Sequence, residues 1–412
     1  MPEPTTPEPA LPEPTTPDPA LPEPTTPEPA LPDSTTPEPN GHAADAPLLT
    51  SVVDGVGHVV LNRPRALNCL TQSMVDALLA TIAAWEQDPR VRLVHVTGAG
   101  DRALCAGGDV VAARAAIVDG RPDDASAFWA QEYAAIAALA AFARPVIALQ
   151  HGYVMGGGVG LSAHARHRWA TQDARFAMPE TAIGFFPDLA MTPMLARAPG
   201  ELGAWLAMTG ETIGAVDAQY VGLTDVVLPT ESVTDALTAT TRLAADGDVS
   251  DADIQALAAA YGMGAANGVG PAEGVGTANG AGTAYGNSGG VSRLQDDREW
   301  IDACFPGDDP ALIVARLEEH PDARARACGA LLRTRSPLAV AVSLARLRRA
   351  ETEQNLASAF ATDRRIADAM MHGGDFVEGV RARLIDKDQP RWRHTRLEDV
   401  SAADVATYLD AR

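Results

Sequence analysis

Val154-Met155-Gly156-Gly157-Gly158-Val159-Gly160 is the stretch from which the fold is read. The apolar run Pro145-Val146-Ile147-Ala148-Leu149 before it has the character of a buried strand, and Leu161-Ser162-Ala163-His164-Ala165 after it can open a helix. Four glycines within five positions at such a junction leave backbone N–H groups uncovered and allow another segment to approach closely. Working upstream, 125–142 reads as a long helix and 91–97 as a buried strand. Between them Gly98-Ala99-Gly100-Asp101-Arg102-Ala103-Leu104-Cys105-Ala106-Gly107-Gly108-Asp109 forms a second glycine-bearing turn ahead of another helix. Strands alternating with helices predict an α/β core.

Further out, 48–53 and 57–61 read as two strands about the turn residues Asp54-Gly55-Val56-Gly57. Residues 67–86 show helical periodicity, with Leu70, Met74, Leu78, Ile82 and Trp85 on one face and Thr71 as N-cap. Downstream of the glycines, 168–171 and 175–178 are expected strands, and 193–209 a helix. Residues 251–261 can form a helix. The Gly/Ala/Asn-rich segment that follows, 262–290, lacks the residues to build a core and is expected to be flexible. From 299 onward the chain is dense in Ala, Leu and Arg, with helical periodicity at 312–319, 323–334, 337–351 and 366–371. Four regions result: a disordered tail (1–44), an α/β catalytic core (45–245), a flexible insert (246–296) and a helical C-terminal region (297–412).

The tail repeats Pro-Glu-Pro-Thr-Thr-Pro-Glu-Pro-Ala-Leu with small changes over residues 2–39. Proline at that density removes amide donors and favours extended polyproline II, which cannot bury a core. The chain of 412 residues carries a net charge of −22, and residues 1–40 hold eight carboxylates and no Lys or Arg. The remainder is still acidic, which argues against sequence-independent nucleic-acid binding. Local arginines can nonetheless hold a phosphate. Cys69, Cys105, Cys304 and Cys328 stand far apart without zinc-like spacing and are expected to be reduced thiols. No apolar run reaches the ~18–20 residues of a membrane span, and the N-terminus lacks signal-peptide order. The expectation is a soluble cytoplasmic protein with neither nucleic acid nor membrane as partner.

Taken in order, Asn62-Arg63-Pro64-Arg65-Ala66-Leu67-Asn68, Cys105-Ala106-Gly107-Gly108-Asp109, Met155-Gly156-Gly157-Gly158-Val159-Gly160 and Met178-Pro179-Glu180-Thr181 resemble the enoyl-CoA hydratase/isomerase (crotonase) superfamily. Phe128-Trp129-Ala130-Gln131-Glu132-Tyr133, the Pro187-Asp188 pair and the 375–388 segment resemble its 3-hydroxyisobutyryl-CoA hydrolase branch. The resemblance covers about residues 48–245 and 297–408. It implies a crotonase-like spiral of ββα units with a C-terminal helical region, an acyl-CoA substrate, and no metal or cofactor beyond the coenzyme A of the substrate itself. Family members commonly form trimers or hexamers, which leaves a homo-oligomer open.

The resemblance makes the amides of Gly108 and Gly157 an oxyanion hole. Negative charge developing on a thioester oxygen is stabilised by two N–H donors at ~2.7–3.1 Å. Glu180, aimed by the preceding proline, is the expected base, because a carboxylate in an enclosed acyl pocket loses hydration and its pKa rises. Asp188 is its expected partner, and two carboxyls in one apolar pocket push their pKa values apart. Ala66, Leu67, Asn68, Ala106, Gly107, Asp109, Glu132, Gly156 and Gly160 are the expected substrate-lining residues, with Arg63 or Arg65 as phosphate partners and Tyr133 as a pocket wall.

One absence is informative. Hydratases of the superfamily carry a second catalytic Glu three positions after the oxyanion glycine, and that position here is Gly160. The expected reaction is therefore hydrolysis of a short β-hydroxyacyl-CoA thioester, in the first place 3-hydroxyisobutyryl-CoA. Enoyl-CoA hydration or isomerisation is the alternative, and a non-catalytic acyl-CoA-binding or scaffold protein a third. Two departures from the branch bear on substrate choice: Ala190-Met191 stands where Gly-Gly is usual, and Ile136 where Asn is frequent.

Overall fold

A computed structural model describes residues 45–263, 291–353 and 355–411. The expected tail (1–44) and most of the expected insert (264–290) lie outside the described residues. Ten strands are seen among them: β1 (Leu48–Val53), β2 (Val56–Leu61), β3 (Leu93–Gly98), β4 (Ala103–Cys105), β5 (Val146–Gln150), β6 (Tyr153–Met155), β7 (His167–Thr171), β8 (Arg175–Ala177), β9 (Ile213–Gly214) and β10 (Val226–Leu228). They form a six-stranded sheet in the order β1-β2-β3-β5-β7-β10 and a four-stranded sheet in the order β4-β6-β8-β9. Only the β1–β2 and β8–β9 pairs are antiparallel. The hairpin β1–β2 turns on Asp54-Gly55, both at positive φ, so the turn is two residues long rather than the four expected.

The ββα repeat follows from this topology. β3 and β4, β5 and β6, and β7 and β8 are consecutive pairs whose first strand joins the large sheet and second the small one. Helices α1 (Gln72–Glu86), α2 (Val110–Val118), α3 (Pro122–Ala140) and α4 (Gly157–Ala163) fill the connections. Along the large sheet alternate residues face opposite ways. Val94, Val96, Val146, Ala148 and Ala170 enter the main core, whereas Leu93, Ile147, Leu149, Trp169, Val226 and Leu228 form a second core.

That second core is covered by α8 (Val233–Asp246) and α9 (Asp251–Tyr261), which lie beyond α5 (Met191–Leu195), α6 (Leu202–Thr209) and α7 (Ala215–Tyr220). The 246–296 insert is thus too wide: α9 starts at a Ser250–Asp253 capping box, buries Ile254 and Ala258, and is followed by a hydrogen bond from Met263 N to Val227 O of 2.8 Å.

Two expected helices change shape. The 67–86 helix begins only at Gln72, capped by Thr71, because Leu67 and Asn68 take positive φ. The 193–209 helix is two, α5 and α6, parted where Pro199 precedes Gly200 at φ +58°. The C-terminal helices are α10 (Leu294–Cys304), α11 (Pro310–Glu319), α12 (Ala323–Leu332), α13 (Pro337–Ala350), α14 (Leu356–Met371), α15 (Asp375–Val380) and α16 (Ala402–Leu409). They share one continuous hydrophobic cluster with the α/β core. All four cysteines are free thiols, and no helix of the described residues is long and apolar enough to cross a membrane.

Candidate active site

The small sheet positions the site. β4, β6 and β8 run parallel, with Cys105 opposite Val154 and Met155 opposite Ala177. Each strand ends at the same edge and releases one functional segment there: Ala106-Gly107-Gly108, Gly156-Gly157 and Met178-Pro179-Glu180. Three-residue strands are too short to show an alternating pattern, so β4 and β6 are not distinguishable from turns in the sequence.

The glycines permit contacts that any side chain would block. A Cβ on Gly158 would stand 2.0 Å from Cys105 O, so α4 rests directly on the β4 backbone. That approach brings the two glycine turns together: a Cβ on Gly157 would lie 3.3 Å from the Gly108 nitrogen. Neither the Gly108 nor the Gly157 N–H has an acceptor among the described residues. Gly157 is the first residue of α4, after Gly156 at φ +51°. Loop 66–68 joins the same face, since Ala106 N donates to Leu67 O at 3.0 Å and Leu70 N to Gly107 O at 2.9 Å.

Three carboxyl groups converge on this edge. Glu180 opens a short 3-10 turn, Glu180–Ile183, and is 6% exposed; a Cβ on Gly156 would be 2.8 Å from its Oε1. Glu132, from α3, is buried as well, with its Oε1 2.7 Å from the Cβ position of Gly157 and 3.5 Å from that of Gly108. Glu132 Oε1 and Glu180 Oε2 are buried without hydrogen-bond partners. Asp188 is also buried, and its Oδ2 accepts from the Tyr133 hydroxyl at 2.7 Å. From the sequence Tyr133 is expected only as a wall; a partner 55 residues away leaves no local signal.

Burial, followed by the charge of Asp188, raises the pKa of Glu180 well above the ordinary carboxylate range, and the same two causes raise that of Glu132. Burial pushes Asp188 up to about 7, opposed by the Tyr133 hydrogen bond and reinforced by the charge of Asp363. Trp129, whose side chain hydrogen-bonds Asp188 and so opposes that rise, belongs to an aromatic cluster. Trp129 lies 5.6 Å from Phe128, 5.8 Å from Phe185 and 5.6 Å from Phe376, centroid to centroid. The arrangement can hold a proton near neutral pH and present two free N–H groups beside it.

Other expected residues have different occupations. Asn68 is fully buried, its amide donating to Ala99 O and Ala103 O, its oxygen accepting from Arg63 N and its backbone N–H donating to Arg63 O, so its side chain and its amide proton are both engaged internally. Asp109 caps α2 through Ala112 N and pairs with Arg63 at 3.5 Å. Arg63 also donates to Cys69 O at 2.7 Å, whereas Arg65 is exposed. Gly160 is buried, and a Cβ there would stand 2.7 Å from Leu189 Cδ1 and 2.9 Å from Leu189 Cβ. Gly160 therefore backs onto Leu189. Gly160→Ala should accordingly destabilise the fold by about 1–3 kcal/mol through overpacking, outweighing the helical preference for alanine. Urea unfolding checks this, and an unchanged or raised midpoint would show that Leu189 yields freely.

Comparison with known proteins gives a consistent picture. The enoyl-CoA hydratase/isomerase family profile matches residues 56–409. The mitochondrial 3-hydroxyisobutyryl-CoA hydrolase of Gallus gallus is 34% identical over 359 residues, 86% of each chain, and that of Homo sapiens 32% identical over the same shares. Among solved structures, a carnitinyl-CoA dehydratase from Mycobacterium thermoresistibile aligns with TM-score 0.76 and 37% identity, covering 88% of this chain and 96% of its own. An enoyl-CoA hydratase from Rhodobacter sphaeroides aligns with TM-score 0.76 and 35% identity, covering 89% and 98%.

Proposed function

Because the chain belongs to the enoyl-CoA hydratase/isomerase family, we propose that it hydrolyses a short β-hydroxyacyl-CoA thioester, in the first place 3-hydroxyisobutyryl-CoA to 3-hydroxyisobutyrate and CoA. The observation that carries this reading is the pairing of Gly160 with Leu189. The place from which a hydratase of the superfamily presents its second carboxylate has no side chain here and is closed by leucine, while the buried carboxyls stand at Glu180 and Asp188. The hydrolase names of the vertebrate relatives support it.

In the proposed reaction Gly108 and Gly157 donate to the thioester oxygen as it gains charge. Glu180 takes a proton from water, whose oxygen attacks the carbonyl carbon; the C–S bond then breaks and Glu180 returns the proton to the departing sulfur. Direct attack by Glu180 would instead form a mixed anhydride as the C–S bond breaks and the CoA thiolate leaves; water then cleaves the anhydride, freeing the acid and the Glu180 carboxylate and supplying the proton that the thiolate takes up. Asp188 contacts the substrate β-hydroxyl or the water, and the unpartnered Glu132 oxygen offers a further polar contact. Loop 66–68 and the 106–109 turn line the path of the coenzyme A moiety, with Arg65 rather than the internally engaged Arg63 as the available phosphate partner.

The names of the two solved neighbours favour a second reading, addition or removal of water across an acyl-CoA double bond. A free-thiol assay separates the two. We expect CoA release from 3-hydroxyisobutyryl-CoA or 3-hydroxypropionyl-CoA, with no loss of enoyl absorbance from crotonyl-CoA. The converse result would replace hydrolysis by hydration. A cytoplasmic setting and a homo-oligomeric state belong to the same proposal. The mitochondrial label belongs to the relatives, and cell fractionation and light scattering would test these two points.

A further inference from the structure

Asp188 is followed by two consecutive non-glycine residues in the left-handed region, Leu189 and Ala190, each at φ +57°. Such a conformation costs an L-residue roughly 1–2 kcal/mol, so the turn persists only if its surroundings hold it. Three contacts do so. His164 Nε2 donates to Leu189 O at 2.7 Å, Met191 N donates to Asp188 O at 3.0 Å, and Ala190 N donates to Asp363 Oδ2 at 2.7 Å. The third comes from α14, 173 residues away.

Asp363 is completely buried, and its other oxygen accepts from Arg346 Nε at 2.7 Å. Arg346, on α13 and only 2% exposed, also donates to Glu353 at 2.7 Å. A buried ion pair is expensive to form and is weak evidence for stability by itself. Here the two oxygens of Asp363 are divided between partners, one holding the arginine and the other the amide two residues after Asp188. Both residues interrupt apolar helix faces, Arg346 among Ala339, Val342 and Ala350, and Asp363 among Ala359, Phe360, Ile366 and Ala367.

We propose that Asp363, fixed by Arg346, is a positioning residue for Asp188: by accepting the Ala190 N–H it locks the doubly left-handed turn that aims the Asp188 carboxyl toward the reacting acyl group. The C-terminal helices are thereby part of the active-site geometry. The link to the reacting acyl group rests on the hydrolase reading; the dependence of the turn on Asp363 does not. The groups that face Asp188 are Trp129, Glu132 and Tyr133 of α3, Glu180, and Asp363 of α14, with His164 at the end of α4 on the adjoining carbonyl; those facing Asp363 are Arg346 and Glu353.

The test compares Asp363→Ala with Asp363→Asn. Alanine removes the acceptor, whereas asparagine keeps an oxygen for the Ala190 amide and removes the charge. We expect D363A to lower kcat by about 10- to 100-fold, the scale of a misplaced catalytic group, with KM within about threefold. D363N should retain most of kcat and move the acid limb of the rate profile to lower pH, since an anion near Asp188 has been removed. Amide exchange at 189–191 should accelerate in D363A and stay near wild type in D363N. Equal exchange in both variants, or a lowered Tm with unchanged kcat and unchanged pH profile, would overturn the proposal. If wild type releases no CoA from any hydroxyacyl thioester, the hydrolase reading fails alone, and the exchange rates still decide the role of Asp363.

Discussion

Glu180→Gln should lower the rate of CoA release by about 10²–10⁴-fold, the usual contribution of a positioned general base, with little loss of folding stability. The two halves of this expectation have one cause. Glu180 is buried and one of its oxygens has no partner, so ionising it in the folded protein is unfavourable and its pKa is raised, first by burial and then by Asp188. A neutral amide of the same shape removes that cost and also removes the base. Steady-state thiol release together with thermal unfolding of the variant checks both parts. Residual activity within tenfold of wild type would take the base role from Glu180. A collapse of Tm would mean that the carboxyl is needed for packing.

Asp188→Asn should combine an activity loss of at least about 10²-fold with a gain in stability that depends on pH in a defined direction. The folded-state pKa of about 7 lies above the ordinary 3.8 of this group. Between those values the folded chain keeps a proton that the unfolded chain has released. The group's contribution to stability therefore falls as pH rises from about 4 to about 7 and is flat above. Asparagine cannot titrate, and its oxygen can still accept from Tyr133. The variant should match wild type near pH 4 and exceed it by on the order of 2–4 kcal/mol at pH 8. Denaturant titrations across that range would measure the difference; a gain that is greatest at pH 4 and vanishes at pH 8 would reverse the sign and place Asp188 in a stabilised ionic contact.

Much of the site is legible in the sequence because its chemistry depends on backbone. Gly108 and Gly157 stand out as glycines where a strand yields to a helix, and Glu180 as an acid directly after a proline. Asp188 is legible as one member of a pair, but its hydrogen bond to Tyr133 is not. The split of the expected 193–209 helix is signalled by Pro199-Gly200, yet apolar periodicity on both sides masks it. Arg346 and Asp363 carry a visible signal as well: single opposite charges on otherwise apolar helix stripes, which implies that they pair in the interior.

By itself the sequence determined the alternation of the longer strands and helices, the positions where bare amides could exist, and the absence of a side chain at 160. These are properties of a residue and its immediate neighbours: periodicity, proline geometry, a missing Cβ. Only the tertiary structure decided that Leu189 closes the space beside Gly160, that Glu132, Glu180 and Asp188 are buried within electrostatic reach of one another, and that the turn after Asp188 is held from α14. Burial and electric field at a carboxyl are summed over every group within a few ångströms. In this fold those groups come from segments more than a hundred residues apart, such as Ala190 and Asp363, so no local reading of the chain could contain them.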